Sequence, residues 1–261
     1  MTTQSGSIPS GSANKNDTDI DDAGTSANSI SSSTGSDHQF KIGYDELARI
    51  DAAAAAAQFD HMGYLALPGL LTPSALEGLR NEVARLQAIA RRRDFTMECM
   101  GGTPRHMTTL GGVEIAKSAP EVSALYGDPE LSAALGALVG LELELAADPV
   151  ERHVLNVLHR SGDTHGLHTD DYPIALVLFL ESPTCEAGCG HLEFFDACKA
   201  GHTSVRSHAA GDAYILRADK FPHRVQPIHD GCVRTVLNFA YGAKSLPVLT
   251  TPSASILYAS S

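Results

Sequence analysis

Apolar residues along the chain change their spacing near residue 141. Between residues 44 and 140 they recur three or four positions apart, as they do along one face of a helix. From residue 141 to 242, short apolar runs rich in β-branched residues are separated by turn residues, which is typical of strands. The pattern therefore predicts N-terminal helices over 44–140 and a β-sheet core over 141–242.

The clearest helix start in the first part is Thr72 followed by Pro73, because threonine caps a helix and proline suits its first turn. This helix is predicted to end in the three arginines at 91–93, where positive charge favours the helix dipole. The glycine-containing stretch 97–110 is predicted to be a loop.

The core is predicted to contain eight short strands. Strands of this length and spacing suit a jelly roll, in which two sheets close over a cavity. The fold class expected is therefore mainly β with flanking helices. The predicted strands are 152–160, 166–170, 174–180, 192–195, 204–207, 213–217, 224–228 and 233–241.

The first 40 residues are rich in Ser, Thr, Gly, Asn and Asp and have almost no large apolar groups. Such a segment cannot bury enough apolar surface to offset the entropy lost on ordering. We expect residues 1–40 to be a disordered tail and residues 41–261 to form a single domain.

Composition excludes several classes of partner. The formal net charge of −12 leaves no basic surface for nucleic acid. No apolar run reaches the roughly 18 residues that a membrane span needs, and no secretory signal is visible at the N-terminus. The odd number of cysteines, five in a long chain, favours reduced thiols over a disulfide framework. These features predict a cytoplasmic protein that binds neither nucleic acid nor membrane.

Three side chains have the spacing of ligands to one metal ion. His168 and Asp170 stand two positions apart, so on a strand they face the same side. His223 follows 53 positions after Asp170, at the start of a later strand, and among the twelve histidines it has the best distance to Arg234. Two imidazoles and one carboxylate form the facial triad that binds non-haem iron.

Arg234 lies inside an apolar run that is predicted to be a buried strand. A buried guanidinium is costly unless a partner meets its charge, and a carboxylate bound through two hydrogen bonds is the natural partner. We therefore expect Arg234 to bind an acidic cosubstrate near the metal.

The HxD pair, the later histidine and the arginine one hairpin further on resemble the Fe(II)/2-oxoglutarate-dependent oxygenase superfamily, over residues 150–242. The resemblance implies the double-stranded β-helix, a cupin-like jelly roll. It also implies Fe(II), 2-oxoglutarate as cosubstrate and O2. Arg234 would then hold the far carboxylate of 2-oxoglutarate.

A closer resemblance is to the small enzymes that act on free amino acids, namely the BesD-type lysine halogenases and their hydroxylase relatives. It is carried by His165-x-x-His168-x-x-Asp171, an upstream arginine and Arg234-x-x-x-Asn238. In that group the matching residues bind the carboxylate and the amine of the substrate. The residues implied are Arg105, His165, Asp171 and Asn238, with Glu151 where the lysine enzymes carry an acid for the distal amine.

Two departures from this group change the expected reaction. The halogenases carry glycine at the second triad position, where chloride binds, whereas this chain has Asp170. The tryptophans that enclose the substrate in the lysine enzymes are absent because the chain has no Trp, and Tyr258 is a candidate replacement. Hydroxylation is therefore favoured over halogenation, and the identity of the amino acid stays open.

The expected function is hydroxylation of an unactivated C–H bond of a free L-amino acid, lysine or another small one, with release of succinate and CO2. Desaturation or an aziridine-type ring closure by the same chemistry is one alternative. A cupin-like metal-binding module without turnover is another, although such a module needs no carboxylate clamp like Arg234. The oligomeric state is left open, with a homodimer as one option.

Overall fold

A long and almost wholly apolar strand has a partner strand on each side in the sheet. Strand β7 (Ile174–Glu181) pairs on one side with β10 (Ala213–Arg217) and on the other with β12 (Arg234–Ala243). This computed structural model describes residue 40 and residues 42–184, 188–195 and 203–258.

The other elements are short, and most of the helices precede the central strands. The helices are α1 (Tyr44–Ala48), α2 (Ala52–Met62), α3 (Pro73–Gln87), α4 (Gly112–Ser118), α5 (Pro120–Tyr126), α6 (Pro129–Val139) and α7 (Ser253–Tyr258), with a 3-10 turn at Glu98–Met100. The remaining strands are β1 (Tyr64–Leu67), β2 (Arg91–Met97), β3 (Thr103–Leu110), β4 (Leu143–Leu145), β5 (His153–Leu158), β6 (Thr164–His168), β8 (Leu192–Phe195), β9 (Thr203–Arg206) and β11 (His223–Val225).

All pairings between the described strands are antiparallel, and the strands form one curled sheet. Its order is β1-β10-β7-β12-β5-β3-β6-β11-β8-β9, with β2 paired to β3 and β4 paired to β12. The far end of β3 pairs with β5 and its near end with β6, so this strand joins the two halves of the roll. The predicted class, mainly β with flanking helices, is confirmed.

Both faces of the central strands are buried, which explains their unbroken apolar sequence. In β7, Leu176 and Leu178 face the helices, where they join a core that includes Leu79 of α3. The intervening Val177 and Phe179 face the inside of the roll. This period of two also applies to polar residues, so a polar side chain at an inward position points into the interior of the roll.

The stretch 91–110 differs from its prediction. Helix α3 ends at Gln87, and the arginines at 91–93 begin strand β2 rather than ending the helix. The predicted loop at 97–110 is mostly strand β3, which pairs with β2 in a hairpin. The alternation of apolar residues in this stretch is weak because β2 is an edge strand with exposed positions, so the sequence pattern did not reveal the hairpin.

Residues 1–39 lie outside the described residues, so the disordered tail stays a prediction. Phe40, which was assigned to that tail, is buried in the helical core. The described residues belong to one compact unit, residues 37–261. Cys232 is disulfide-bonded, so the expectation of reduced thiols is wrong for this residue. None of the described helices has the length and apolar content needed to cross a membrane.

Two glycines that flank β1 allow a matched test of the packing. Gly63 and Gly69 both have a left-handed backbone, with φ of 66° and 65°. A Cβ at Gly63 would lie 2.2 Å from the ring of Phe221, whereas one at Gly69 would meet nothing within 4 Å.

We predict that Gly69→Ala lowers the free energy of unfolding by about 1 kcal/mol, the cost of the backbone conformation alone. Gly63→Ala should lower it by about 3 kcal/mol, because the Phe221 ring must also move. Urea denaturation of both variants measures the difference. Equal losses of unfolding free energy in the two variants would show that the contact with the Phe221 ring does not add to the cost of Gly63→Ala.

Candidate active site

The three predicted ligands lie together at the mouth of the roll. One ligand atom from each of His168, Asp170 and His223 can be chosen so that all lie within 4.8 Å of one another. Asp170 Oδ1 lies 3.4 Å from Nε2 of His168 and 3.8 Å from Nε2 of His223. Strand pairing produces this arrangement, because β6 and β11 are antiparallel with His168 directly opposite His223.

Backbone carbonyls fix the orientation of both imidazoles. Nδ1 of His168 donates to the carbonyl oxygen of Gly166 at 2.7 Å, and Nδ1 of His223 donates to that of Phe221 at 3.0 Å. Each ring therefore carries its proton on Nδ1 and presents the lone pair of Nε2 to the centre. This outer-shell arrangement is usual for metal-binding histidines.

Electrostatics favour the protonation states that a metal needs. Burial, followed by the charge of His168, lowers the pKa of His223 to about 4, so this imidazole is neutral at pH 7. Burial by itself raises the pKa of Asp170, but the neighbouring His168 and His223 bring it below its ordinary value. The centre thus holds neutral imidazole and ionised carboxylate.

Arg234 lies deep in the roll on the first residue of β12. Its side chain is buried, and Nε has no hydrogen-bond partner among the described residues. The guanidinium carbon lies 4.9 Å from the centroid of the Phe179 ring, and burial lowers the pKa of Arg234 while the neighbouring Tyr214 raises it. Arg234, Tyr214 and the three ligands line one cavity, so a buried cation stands across from the metal centre.

A second cavity opens on the other side of the ligands, and all five predicted substrate residues line it. These residues are Arg105, Glu151, His165, Asp171 and Asn238. His168 and Asp170 line both cavities, as do His165 and Asn238. The structure therefore brings every residue selected from the sequence to one continuous site.

Arg105 is 1% exposed, and it lies on strand β3 rather than on a loop. Its Nη1 donates to Thr103 Oγ1 and to the carbonyl oxygen of Pro104, each at 3.0 Å. Its Nε has no hydrogen-bond partner among the described residues, and burial lowers its pKa to about 10. A buried arginine without a carboxylate partner is suited to receive one from a ligand.

His165 and Asn238 stand between the two cavities. His165 pairs across the sheet with Arg105, and its ring stacks on that of His168 with centroids 3.9 Å apart. Burial, then the charges of His168 and Arg105, hold the pKa of His165 well below its usual range, so the ring is neutral. The Oδ1 of Asn238 is buried without a hydrogen-bond partner in the described part of the chain.

The two predicted acids differ in what they contact. Burial, and then the charges of Asp171 and Asp170, raise the pKa of Glu151 to about 8, and its carboxyl makes no hydrogen bond or ion pair with the residues described. The carboxylate of Asp171 already accepts two hydrogen bonds from Thr251, at 3.0 and 2.9 Å. Of these two acids, Glu151 is therefore the one whose carboxyl is free to bind a ligand.

Sequence reasoning missed several residues that complete the site. Asn156 lines both cavities and accepts a hydrogen bond from Thr109 at 2.7 Å, and Tyr214 lies beside Arg234. The inward period of two in β5 and β10 could have identified both, since they share the face of Val154 and Leu216.

The residues present fit a divalent iron ion and a dicarboxylate. The ligands are one carboxylate and two imidazoles whose free lone pairs converge, which suits iron with open coordination positions. The unpartnered Nε of Arg234 provides a buried cation for the far end of an acidic molecule bound to that metal.

Comparison with solved structures identifies the fold. SnoK, a non-haem alpha-ketoglutarate-dependent carbocyclase from nogalamycin biosynthesis, has a TM-score of 0.60 and 13% identity, covering 75% of this chain and 85% of that chain. A prolyl 4-hydroxylase from Phytophthora capsici has a TM-score of 0.57 and 17% identity, covering 84% and 73%. HygX from Streptomyces hygroscopicus, solved with nickel, 2-oxoglutarate and hygromycin B, has a TM-score of 0.54 and 15% identity, covering 75% and 88%. The jelly-roll prediction is confirmed.

The fold is shared with 2-oxoglutarate-dependent non-haem iron oxygenases, and the site has the three candidate ligands and the buried arginine that Fe(II) and 2-oxoglutarate would need. The model of one family, described as HalD, halogenase D, matches residues 47–247. The chain belongs to this halogenase D family. A search of curated proteins found no match.

Removing the charge of Arg234 should weaken cosubstrate binding. We predict that Arg234→Gln raises the 2-oxoglutarate concentration for half-saturation by roughly 10-fold to 100-fold, the value of a hydrogen bond to a charged group. Anaerobic titration of the Fe(II) protein, followed through the visible metal-to-ligand charge-transfer band, measures this constant. Arg217→Gln is the matched control, since Arg217 lies on β10 and its charge is met by Asp219 at 2.6 Å. An unchanged midpoint for Arg234→Gln would contradict the assignment.

Proposed function

We propose that this protein hydroxylates an unactivated C–H bond of a free L-amino acid, with conversion of 2-oxoglutarate to succinate and CO2. The observation that carries the proposal is the pair of cavities that meet at the metal ligands. One cavity has a single buried cation, as a dicarboxylate cosubstrate requires. The other has a buried cation and a carboxyl group, as an amino acid requires.

At the cosubstrate end, His168, Asp170 and His223 would hold the iron, and Arg234 with Tyr214 would receive the far carboxylate of 2-oxoglutarate. The bound iron would supply the oxidising chemistry that activates O2 and removes hydrogen from carbon. The apolar lining contributed by Val177 and Leu216 keeps bulk water from this end of the site.

At the substrate end, the carboxylate of the amino acid would bind Arg105, whose Nε points to no other partner among the described residues. Its ammonium group would donate to Asn238 Oδ1 and to an acid at the site. The sequence resemblance names Asp171 for this acid. It names Glu151, whose carboxyl has no partner among the described residues, for a distal amine. His165, neutral and stacked on a metal ligand, would position the bound molecule beside the metal.

Asp170 favours hydroxylation over halogenation although the family is named for a halogenase. A carboxylate occupies the second ligand position and lies within 3.8 Å of both imidazole nitrogens. A halide would have to displace this ligand before it could reach the metal. The same ligands would also serve desaturation or aziridine-type ring closure, so the mass of the product distinguishes these outcomes.

A cupin-like module that binds metal without turnover is the candidate from another class. Such a module has no use for Arg234, which leaves a buried guanidinium nitrogen without a partner among the described residues. The cost of burying an unmatched cation favours a site that receives a carboxylate. We therefore favour the enzyme.

A screen of the free proteinogenic amino acids tests the reaction. Each is incubated with the Fe(II) protein, 2-oxoglutarate and air, and the products are analysed by mass spectrometry. We expect one amino acid to stimulate succinate release and to gain the mass of one oxygen. Chloride should leave the product unchanged.

His168→Ala should reduce this succinate release to background, because the metal loses one of three ligands. His106→Ala is the matched control, since His106 lies on β3 with its imidazole bound to the exposed Asp94. Full activity in His168→Ala would refute the metal assignment, and no response to any amino acid would refute the substrate class.

The titration of Glu151 predicts a pH dependence for a substrate with a second amine. In the free protein this carboxyl has a pKa of about 8, so it is mostly neutral at pH 6 and becomes ionised as the pH rises. The affinity for a diamino acid should therefore increase from pH 6 to about pH 8, by up to roughly tenfold per unit, and then level off. In Glu151→Gln the slope should disappear.

The measurement is the substrate concentration for half-maximal perturbation of the charge-transfer band between pH 6 and 9. Glu142→Gln is the control, since Glu142 is an exposed acid that pairs with Lys244. A wild-type affinity that does not vary with pH would show that Glu151 does not meet the substrate amine.

A further inference from the structure

We propose that residues 249–258 form the specificity-determining wall of the amino-acid pocket, and that Asp171 is a positioning residue that fastens this wall through Thr251. The inference rests on the proposed function in one respect, that the occupant of the pocket is an amino acid. The fastening itself is a property of the chain.

The C-terminal segment closes the substrate cavity on the side opposite the sheet. After β12 the chain leaves the sheet and returns as the short helix α7. Ala254, Leu257 and Tyr258 of this helix line the cavity together with Arg105 and Glu151. A substrate side chain that extends away from the metal would therefore meet α7.

Asp171 holds this segment through three hydrogen bonds. Its Oδ2 accepts from the backbone nitrogen of Thr251 at 3.0 Å, and its Oδ1 accepts from the Thr251 hydroxyl at 2.9 Å. Its carbonyl oxygen accepts from the backbone nitrogen of Leu249 at 2.8 Å. Thr251 Oγ1 also accepts from the backbone nitrogen of Ser253 at 3.2 Å, so the fastening point and the start of α7 share one side chain.

Asp171 is 5% exposed and follows the ligand Asp170 directly. Because both its carboxylate oxygens are engaged by Thr251, we assign its effect on the substrate to the position of the segment. Its place in the chain links the position of the wall to that of the metal centre.

Tyr258 determines the depth of the pocket. It lines the substrate cavity on one side. On the other side it lines a third, mainly apolar cavity, where its neighbours include Leu110 and Val113. Its side chain passes so close to Gly111 that a Cβ there would lie 3.2 Å from that of Tyr258. Removing this ring would join the two cavities and admit a longer side chain.

Hydrogen exchange tests the fastening without any turnover. In the anaerobic Fe(II)·2-oxoglutarate protein, Asp171→Asn and Thr251→Val should each speed amide exchange in peptides covering residues 249–258 by roughly tenfold, with peptides of β7 unchanged. The double variant should speed exchange by less than the product of the two single effects, because both changes remove the hydrogen bond between the Thr251 hydroxyl and Asp171. Ile256→Ala is the control, since Ile256 points to solvent on α7 with 43% exposure.

Wild-type exchange rates in Thr251→Val together with a raised KM for the amino acid in Asp171→Asn would overturn the positioning assignment in favour of direct contact with substrate. The exchange rates, unlike the KM, are independent of the amino-acid screen. If no amino acid is oxidised, the proposed function fails while the exchange rates still decide whether Asp171 fastens the segment.

Tyr258→Ala tests the wall as a determinant of specificity. We expect the ratio of kcat/KM for a longer amino acid to that for the preferred one to rise at least tenfold, while Ile256→Ala keeps the wild-type ratio. The 2-oxoglutarate midpoint, measured by the charge-transfer band, should be unchanged and thereby shows that the variant is folded. An unchanged ratio in Tyr258→Ala would overturn the assignment of specificity to this wall.

Discussion

The pairing of β6 with β11 is the constraint on which the candidate metal centre depends. It places His168 opposite His223, and the carbonyl oxygens of Gly166 and Phe221 then turn each Nε2 towards the same point. A slip of one residue in this register would send one imidazole to the other face of the sheet. The backbone nitrogen of Asp170 donates to Ala218 at 3.0 Å, which holds the third ligand just beyond the strand end.

Two arginines are buried with a guanidinium nitrogen that has no hydrogen-bond partner in the described part of the chain. Arg234 begins a strand that is buried on both faces, and Arg105 lies on the buried face of β3. The packing of the sheet therefore offsets the cost of desolvating the two guanidinium groups. A protein stabilised in this way can present each cation already dehydrated and oriented. Carboxylate ligands would then gain strong hydrogen bonds with little reorganisation.

Much of the candidate site could be predicted from residue type and spacing. The two-residue step from His168 to Asp170 and the arginine in an apolar run encode chemistry that few other arrangements need. Arg105 was selected through resemblance but was placed on a loop, because the edge strand β2 beside it lacks a clear alternation. Asn156 shares the inward face of β5 with Val154, but an asparagine by itself indicates no particular chemistry, so it was missed.

The sequence by itself determined the central strands and predicted the three candidate ligands, since these depend on local periodicity and on side-chain chemistry. It did not reveal the hairpin of β2 and β3. Only the tertiary structure decided which polar groups are already satisfied. Asp171 and Thr251 are 80 positions apart, and their hydrogen bonds exist because the chain returns over the mouth of the roll. Hydrogen bonds between residues that are distant in the sequence depend on how the buried surfaces pack. The local sequence pattern does not reveal them.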